Sequence, residues 1–174
     1  AEVLKDMGAR IQMNPTNITV VGGPAQLKGV DVDCLDIPDA AMTLASVALV
    51  AEGTTTIRNV GSWRVKETER MKAIVAETSK FGADVTEQPT TCIIKPPTEI
   101  KPMCEIETYD DHRIAMTFAL AACAGVPVKI LDPGCTSKTF PTYFKELSRV
   151  TLDADGRKRS SVRRLLAKLA FWKK

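Results

Sequence analysis

An internal repeat constrains the fold of this 174-residue chain more than any other feature. The tripeptide Ala-Met-Thr stands at residues 41–43 and again at 115–117, each time inside a small, apolar, helix-like stretch. Lys66 and Lys138 occupy matching places after the strand that follows each stretch. We interpret this as a repeat of about 72 to 74 residues, in which each unit runs strand, helix, strand, helix and closing strands.

The spacing of apolar residues predicts an α/β chain with two such units and the trailing end of a third in residues 1–150. Helical spacing predicts helices at 1–8, 40–51, 65–81, 113–124 and 139–149. Alternating or β-branched runs next to turn residues predict strands at 11–13, 18–21, 30–34, 54–57, 85–87, 92–95, 105–107 and 126–131. Asp39 is placed to cap the helix that starts at residue 40.

Composition excludes several classes of protein. No apolar run approaches the ~18 residues that a membrane-spanning helix needs, so we expect no membrane partner. The five cysteines never form Cys-x-x-Cys, which argues against a disulfide framework or a zinc ribbon and favours a reducing compartment. The sequence begins with Ala1 inside a helix-like segment rather than with a methionine, so we expect it to be a piece of a longer chain.

The net charge of +3 divides unevenly along the chain. Residues 151–174 hold eight of the 24 basic side chains and two of the 21 acidic ones, which leaves 16 basic and 19 acidic groups before them. A general polyanion-binding face is therefore not expected in the main body, and no nucleic-acid partner is expected there.

The segment 62–70 contains the first cluster that could carry chemistry. On a helix that starts near Val65, Lys66 and Arg70 share a face and Glu67 lies beside it. One interpretation is a solvated helix end with a network of opposite charges. The alternative is an anion site, because a helix N-terminus favours a bound anion and cations placed there oppose the helix dipole unless an anion joins them.

The segment 109–113 is the second cluster and holds His112, the only histidine in the chain. Beside Asp110 and Asp111 this histidine could be a catalytic group or a member of a hydrogen-bonded cap. No second His or Cys lies at ligand spacing, so a metal site is not predicted. Arg113 repeats at a second helix start the anion-site pattern of Arg70.

The segment 133–141 delivers Lys138 to the start of a third predicted helix. Cys135 could be a nucleophile, but no base is identifiable near it, and a buried, unreactive thiol is the alternative. Three helix starts that each present Lys or Arg, with Asp39 at a fourth, predict a rim that binds a small substrate with phosphate or carboxylate groups.

Four motifs together closely resemble the C-terminal part of the 5-enolpyruvylshikimate-3-phosphate synthase family. They are Ile37-Pro-Asp-Ala-Ala-Met-Thr43, Ser62-Trp-Arg-Val-Lys-Glu-Thr-Glu-Arg70, Tyr109-Asp-Asp-His-Arg-Ile-Ala-Met116 and Asp132-Pro-Gly-Cys-Thr-Ser-Lys-Thr-Phe-Pro141. The resemblance covers about residues 1–150. The UDP-N-acetylglucosamine enolpyruvyl transferases share the fold, but they lack the second and third motifs in this combination and rank second.

The resemblance implies the α/β enolpyruvyl transferase fold, in which βαβαββ units pack around an axis, with about two of the three units of one domain present here. It implies transfer of the enolpyruvyl group of phosphoenolpyruvate to the 5-hydroxyl of shikimate 3-phosphate through a tetrahedral intermediate, with release of phosphate. It implies no metal and no organic cofactor. A monomer is expected when the chain is complete, in the cytoplasm or, for a plant or alga, the plastid stroma.

Three residues receive catalytic roles from the resemblance. Asp39 matches the base near the attacking hydroxyl, which also contacts the shikimate hydroxyls. Glu67 matches the proton donor, and that role requires a raised pKa of its carboxyl group. His112 would form a hydrogen bond in the site.

The remaining matched residues are binding residues. Ser62 and Lys66 match contacts to shikimate 3-phosphate, together with Asp39. Arg70, Arg113 and Lys138 match the cations that bind phosphoenolpyruvate, where guanidinium groups suit carboxylate and phosphate oxygens. The other domain of the family is missing, so these 174 residues are expected to be inactive alone and to need the remainder of the chain.

Residues 151–174 fall outside the resemblance and form a predicted basic amphipathic helix. Val162, Leu165 and Leu169 lie near one face of it, opposite Arg163 and Arg164. A solvated or packing helix, or the start of a fused segment, is one interpretation. The other makes the chain a non-catalytic interaction module whose tail binds an acidic partner, a membrane surface or nucleic acid.

Overall fold

A computed structural model describes residues 1–21 and 26–151. The strands are β1 (Ile11–Asn14), β2 (Asn17–Val20), β3 (Asp31–Asp33), β4 (Thr55–Arg58), β5 (Asp84–Glu87), β6 (Cys92–Lys95), β7 (Cys104–Ile106) and β8 (Val128–Ile130). The α-helices are α1 (Glu2–Asp6), α2 (Pro38–Ala41), α3 (Thr43–Ala48), α4 (Arg70–Lys80), α5 (His112–Ala119) and α6 (Tyr143–Val150). Short 3-10 turns occupy Gly61–Val65, Leu120–Ala124 and Pro133–Lys138.

One complete βαβαββ unit is built around a four-stranded sheet. Its strand order is β3-β4-β6-β5, with β3 parallel to β4 and β6 antiparallel to both of its neighbours. Helices α2 and α3 connect the two parallel strands, and α4 connects β4 to the β5–β6 hairpin. This is the repeat unit that the sequence predicts, including the closing hairpin.

The next unit begins in the same way. Strand β7 pairs in parallel with β8, α5 connects them, and the turn Pro133–Lys138 leads to α6. No closing hairpin follows within the part of the chain that the structure describes, and the preceding unit contributes only α1 and the β1–β2 hairpin. The expectation of two whole units within residues 1–150 is therefore wrong, because the described part of the second unit contains four of the six elements.

The matching places of Lys66 and Lys138 are confirmed. Each lies at the end of a 3-10 turn that follows the second strand of its unit, after β4 in one case and after β8 in the other. The chain thus uses the same strand and turn twice to present a lysine.

Two predicted helices start too early. Helix α4 begins at Arg70 rather than Val65, with Glu69 as its N-cap accepting a hydrogen bond from the backbone N–H of Lys72. Lys66 has an extended backbone, with φ −99° and ψ −157°, so it does not share a helical face with Arg70. Helix α6 begins at Tyr143 rather than Thr139, so Lys138 does not lie at an α-helix start.

Asp39 does not cap the helix that follows it. Pro38 is the first helical residue and Ile37 precedes it, which places Asp39 inside the first turn of α2. The stretch predicted as one helix over 40–51 is divided into α2 and α3 at Met42. Because the carboxylate of Asp39 does not accept a hydrogen bond from the backbone of α2, it is available to neighbouring cations.

Helix α5 starts as predicted, within one residue. The side chain of Asp111 is its N-cap and accepts a hydrogen bond from the backbone N–H of Arg113 at 2.8 Å. The helix tightens into the turn Leu120–Ala124 and ends at Gly125, whose φ of 81° is a left-handed conformation that glycine adopts without steric cost.

The core joins the two units through their helices. Phe81 after α4 and Phe118 on α5 stack with ring centroids 6.0 Å apart and an interplanar angle of 12°, and both are fully buried. The hydroxyl of Ser46 on α3 donates to the carbonyl of Thr117 on α5 at 2.6 Å. Burial of two aromatic side chains stabilises this contact by several kcal/mol, at about 25 cal/mol per Å² of apolar surface.

The predicted basic helix over 151–174 lies, after Thr151, outside the described residues, and its interpretation stays a prediction. Within residues 1–21 and 26–151, no helix has the length and apolar character needed to cross a membrane.

Candidate active site

The turn Gly61–Val65 is fixed firmly before it delivers the charged residues that follow it. Trp63 is fully buried and its Nε1–H donates to the carbonyl of Pro38 at 2.7 Å, which joins the turn to α2. Arg64 forms ion pairs with Glu69 at 2.7 Å and with Glu87 at 3.0 Å, which join it to the start of α4 and to β5. Residues 66–70 therefore follow a turn that is held in place by a hydrogen bond and two ion pairs.

Arg70 is the centre of the site and is almost completely buried. Its Nε donates to Asp111 Oδ2 at 2.7 Å, and its Nη2 lies 3.3 Å from Asp111 Oδ1. The side chains of Arg70 and Asp111 are 1% and 0% exposed. A two-point pair between a guanidinium and a carboxylate is the geometry in which burial of both charges is best compensated.

The same guanidinium group contacts two further carboxylates. Its Nη1 donates to Asp39 Oδ1 at 2.9 Å, and its Nη2 donates to Glu67 Oε2 at 2.6 Å. Arg70 therefore brings together Asp39 from α2, Glu67 from the segment before α4 and Asp111 from the start of α5.

Three cations in turn converge on Asp39. In addition to Arg70, Arg113 Nη2 lies 3.2 Å from Asp39 Oδ2 and Lys66 Nζ lies 3.6 Å from Asp39 Oδ1. The side chains of Lys66 and Arg113 are each 34% exposed and that of Asp39 is 39% exposed, so a small molecule from solvent can reach them. The cluster thus has a buried part, Arg70 with Asp111, and an accessible part that carries both signs of charge.

His112 lies beside this cluster with a buried, unpartnered ring nitrogen. The residue is 4% exposed, and its Nδ1 has no hydrogen-bond partner among the residues that the structure describes. Burial lowers the pKa of the imidazole, and the opposing attraction of Asp111 and Glu67 does not overcome it. At neutral pH the imidazole is therefore uncharged.

Two of the predicted site residues are not part of the ion-pair cluster. Ser62 is half-buried in the turn Gly61–Val65, and Lys138 is exposed at the end of the turn Pro133–Lys138, which packs against α5. Neither side chain forms a hydrogen bond or ion pair within residues 1–21 and 26–151. Their roles as binding residues stay predictions.

Cys135 lies in the same turn as Lys138 and is buried, as the second of the two sequence interpretations proposes. Burial raises the pKa of its thiol, which lowers the fraction of the nucleophilic thiolate.

Asp111 is the member of the charged cluster that the sequence analysis did not select. Its motif drew attention to His112 and Arg113, yet the buried partner of Arg70 is the aspartate before them. The signal that could have identified it is an Asp immediately ahead of an apolar helix, which predicts an N-cap and so fixes a carboxylate at a known place.

The site can therefore hold a small anion and exchange protons with it. Lys66, Arg70 and Arg113 supply positive charge, and Asp39 and Glu67 supply carboxylates in different surroundings, one facing three cations and one facing Arg70. Across the described part of the chain, no three His, Cys, Asp or Glu side chains are grouped so as to hold a metal ion.

A sequence profile of one family matches residues 1–147, described as EPSP synthase (3-phosphoshikimate 1-carboxyvinyltransferase). The chain belongs to the EPSP synthase family. This confirms the family assignment that the four motifs suggest, and it places both the buried Arg70–Asp111 pair and the exposed Lys138 inside the matched range.

Curated relatives agree with the family assignment. The chain is 56% identical over 157 residues to the chloroplastic 3-phosphoshikimate 1-carboxyvinyltransferase of Brassica napus, covering 87% of this chain and 30% of the relative. It is 52% identical over 151 residues to the enzyme of the same name from Colwellia psychrerythraea, covering 87% of this chain and 35% of the relative. The chain thus spans about a third of the length of these relatives.

Solved structures confirm the fold. EPSP synthase from Acinetobacter baumannii superposes with a TM-score of 0.69 at 27% identity, over 86% of this chain and 38% of that one. The enolpyruvyl transferase NikO from Streptomyces tendae gives a TM-score of 0.65 at 20% identity, over 84% of this chain and 33% of that one, and shares the fold alone. The enolpyruvyl transferase fold expected from the sequence is therefore correct.

Proposed function

We propose that the full-length protein transfers the enolpyruvyl group of phosphoenolpyruvate to the 5-hydroxyl of shikimate 3-phosphate, with release of phosphate. The single observation that carries this proposal is the convergence of Lys66, Arg70 and Arg113 on Asp39, beside Glu67, in a chain of the EPSP synthase family. The residues described here supply one half of the site, and we expect them to be inactive alone.

In this proposal shikimate 3-phosphate is bound by Lys66, Ser62 and Asp39. Lys66 Nζ and the Ser62 hydroxyl bind its phosphate group, and Asp39 accepts hydrogen bonds from its ring hydroxyls. The support is that Lys66 is one-third exposed and held by a single 3.6 Å contact, so a phosphate oxygen can take over its ammonium group at little cost.

Phosphoenolpyruvate is bound by Arg70, Arg113 and Lys138. Arg113 is one-third exposed and contacts Asp39 with one of its two Nη atoms, which leaves donors for a carboxylate or phosphate oxygen. Arg70 is buried and already shared among three carboxylates, so it contributes a fixed charge and at most one further donor. Lys138 is exposed and free to reach a substrate from the side of its turn.

The three cations and the carboxylates of Asp39, Glu67 and Asp111 balance in formal charge. Two anionic substrates entering the site therefore compete with Asp39 and Glu67 for Lys66, Arg70 and Arg113. Each carboxylate released from a cation is then free to contact the reacting atoms of the substrates.

The chemical steps divide between these two carboxylates. Asp39 takes the proton of the 5-hydroxyl as its oxygen attacks C2 of phosphoenolpyruvate, and Glu67 donates a proton to C3, which becomes a methyl group. In the resulting tetrahedral intermediate the C2–O bond to phosphate then breaks, and the proton held by Asp39 passes to the leaving phosphate. Glu67, now a carboxylate, takes a proton from the methyl group, which restores the double bond. His112, uncharged and buried at the edge of the cluster, can form a hydrogen bond in the site without adding a charge.

We propose the complete protein as a monomer whose partners are these two small molecules and the remainder of its own chain, without nucleic acid. The relatives include plant enzymes named chloroplastic and bacterial enzymes, which supports the plastid stroma of a plant or alga, or a bacterial cytoplasm, as the compartment.

The proposal is tested by following the reaction of the full-length protein by phosphorus NMR. With phosphoenolpyruvate and shikimate 3-phosphate we expect inorganic phosphate and one new phosphate monoester signal in equal amounts, and no turnover with UDP-N-acetylglucosamine as acceptor. Turnover with the nucleotide sugar and not with shikimate 3-phosphate would instead indicate a UDP-N-acetylglucosamine enolpyruvyl transferase. Turnover with neither would leave the tail-based interaction module as the better hypothesis.

A further inference from the structure

A buried carboxylate outside the ion-pair cluster has no role in the steps above. Glu77 on α4 is 0% exposed and accepts hydrogen bonds from three donors. Lys80 Nζ lies 2.6 Å and the backbone N–H of Glu107 3.0 Å from its Oε2, and the hydroxyl of Tyr109 lies 2.8 Å from its Oε1. Burial of a carboxylate is unfavourable unless every oxygen is paired, and here both oxygens are paired.

Two of these donors belong to the segment that leads into α5. Directly after Glu107, and including Tyr109, lies a tight turn in which the backbone N–H of Asp111 donates to the carbonyl of Thr108 at 2.8 Å. Both central residues of the turn, Tyr109 and Asp110, have φ of 54°. Turns with two such residues normally contain Asn and Gly, and a bulky side chain in this conformation stores strain that neighbouring contacts must offset.

Glu77 supplies those contacts from outside the turn. One oxygen holds the backbone just before the turn, at Glu107, and the other holds the first central side chain, Tyr109. Burial and the adjacent carboxylate raise the pKa of Tyr109 to about 12, so the phenol remains a hydrogen-bond donor throughout the neutral range. Lys80 neutralises the carboxylate and also donates to the carbonyl of Glu105 at 2.9 Å.

The turn ends where the site begins. Asp111, the buried partner of Arg70, is its last residue, and His112 and Arg113 follow directly as the first residues of α5. Arg113 reaches Asp39 with one contact of 3.2 Å and has no other ion pair in the described part of the chain. Asp111 is held twice by Arg70, whereas the guanidinium group of Arg113 is held at one point, so we expect a change in the direction of the turn to displace the Arg113 side chain more than Asp111.

We propose that Glu77 is a positioning residue that acts through Tyr109: by holding the strained turn 108–111 it fixes Arg113 in the orientation that binds phosphoenolpyruvate. This inference rests on the proposed function. It assigns to Glu77, Lys80 and Tyr109 a role in affinity for one of the two substrates, rather than a role in stability alone.

Steady-state kinetics of the full-length protein with two matched Tyr→Phe variants test this assignment. Tyr109→Phe removes the hydroxyl that reaches Glu77. Tyr143→Phe is the control. The hydroxyl of Tyr143, on α6, donates to the carbonyl of Met116 on α5 at 3.1 Å, away from the turn. For Tyr109→Phe we expect a KM for phosphoenolpyruvate about tenfold higher, the size expected for loss of a hydrogen bond to a charged group, with kcat and the KM for shikimate 3-phosphate within about twofold.

A rescue variant separates strain in the turn from general damage. Glycine at residue 110 accepts positive φ without steric cost, so Asp110→Gly added to Tyr109→Phe should return the KM for phosphoenolpyruvate to within about threefold of the wild type. Glu77→Gln, if it folds, should raise the same KM, because the amide loses the charge that pairs with Lys80.

The outcomes distinguish this inference from the proposed function. A wild-type protein that does not react with the two substrates overturns both. An active wild type with an unchanged KM for phosphoenolpyruvate in Tyr109→Phe, or with the same rise in Tyr143→Phe, overturns the role of Glu77 and leaves the proposed function in place.

Discussion

Arg70 Nε donates to Asp111 Oδ2 at 2.7 Å between two side chains that are at most 1% exposed. This buried pair joins the start of α4 to the start of α5, and so joins the complete βαβαββ unit to the incomplete one. The cations and carboxylates at the surface of the site are arranged around it.

Removal of one partner from this pair should destabilise the full-length protein strongly. For Asp111→Ala we expect the free energy of unfolding in urea to fall by about 3 to 5 kcal/mol, because the guanidinium group of Arg70 would remain buried without its main counter-charge. The matched control is Glu105→Ala, which breaks the ion pair with Lys129, where the glutamate side chain is 60% exposed, and should lower the free energy of unfolding far less. Equal losses in the two variants would contradict the central structural role of the pair.

The lowered pKa of His112 predicts a stability that falls in acid. Because burial holds the folded-state pKa below the unfolded value, the unfolded chain binds the proton more tightly as the pH falls below about 6.5. Stability from this residue is therefore present above that pH and is lost as the pH falls towards the folded-state pKa. His112→Gln should lose less unfolding free energy than the wild type between pH 7.5 and 5.5, and parallel profiles would show that His112 does not contribute.

Glu67 should be needed for turnover more than for binding. In the full-length protein, Glu67→Gln keeps a hydrogen-bonding side chain beside Arg70 but cannot donate a proton to C3 of phosphoenolpyruvate. We expect kcat to fall at least ~100-fold, the low end for loss of a general acid, with both KM values within about threefold. Near-normal turnover would remove Glu67 from the role of proton donor.

Loss of the Lys138 side chain should weaken the binding of phosphoenolpyruvate and leave the binding of shikimate 3-phosphate unchanged. Lys138→Gln removes a cation that makes no ion pair in the described part of the chain, so its loss should leave stability unchanged. We expect the KM for phosphoenolpyruvate to rise about tenfold, as for loss of a charge-assisted hydrogen bond, while the affinity for shikimate 3-phosphate stays the same. Lys95→Gln, on the exposed side of β6, is the matched control and should change neither constant. A KM that stays at the wild-type value would exclude Lys138 from the site.

The strand and hairpin segments of the fold followed from local sequence, whereas two helix starts did not. The hairpin β5–β6 was predictable because two short runs rich in β-branched residues flank the turn residues Gln88 to Thr91. The start of α4 was missed because Lys66 and Glu67 are good helix formers and Glu69 is not a preferred N-cap type. What keeps them out of the helix is the turn Gly61–Val65, which is held by the hydrogen bond from Trp63 Nε1–H to the carbonyl of Pro38, 25 positions away.

Only part of the charged cluster was predictable from the sequence: the cations near Asp39 were expected, whereas their ion pairs and the place of Asp111 among them were not. Cations at several helix starts predicted one rim around a small anionic substrate, and the structure brings Arg70 and Arg113 of that rim to the same Asp39. That convergence depends on how α2, α4 and α5 pack, which no single segment encodes. Asp111 was overlooked for the same reason, since its ion-pair partner Arg70 lies 41 residues away.

Calorimetric titration of shikimate 3-phosphate into the full-length protein tests the half-site assignment most directly. Three proteins are compared: the wild type, Lys66→Gln, and a tail variant that carries Arg163→Gln, Arg164→Gln and Lys168→Gln. We expect wild-type affinity in the tail variant and at least about tenfold weaker binding in Lys66→Gln. An affinity for shikimate 3-phosphate that is unchanged in Lys66→Gln and lost in the tail variant would contradict the assignment of this chain as half of an enolpyruvyl transferase site.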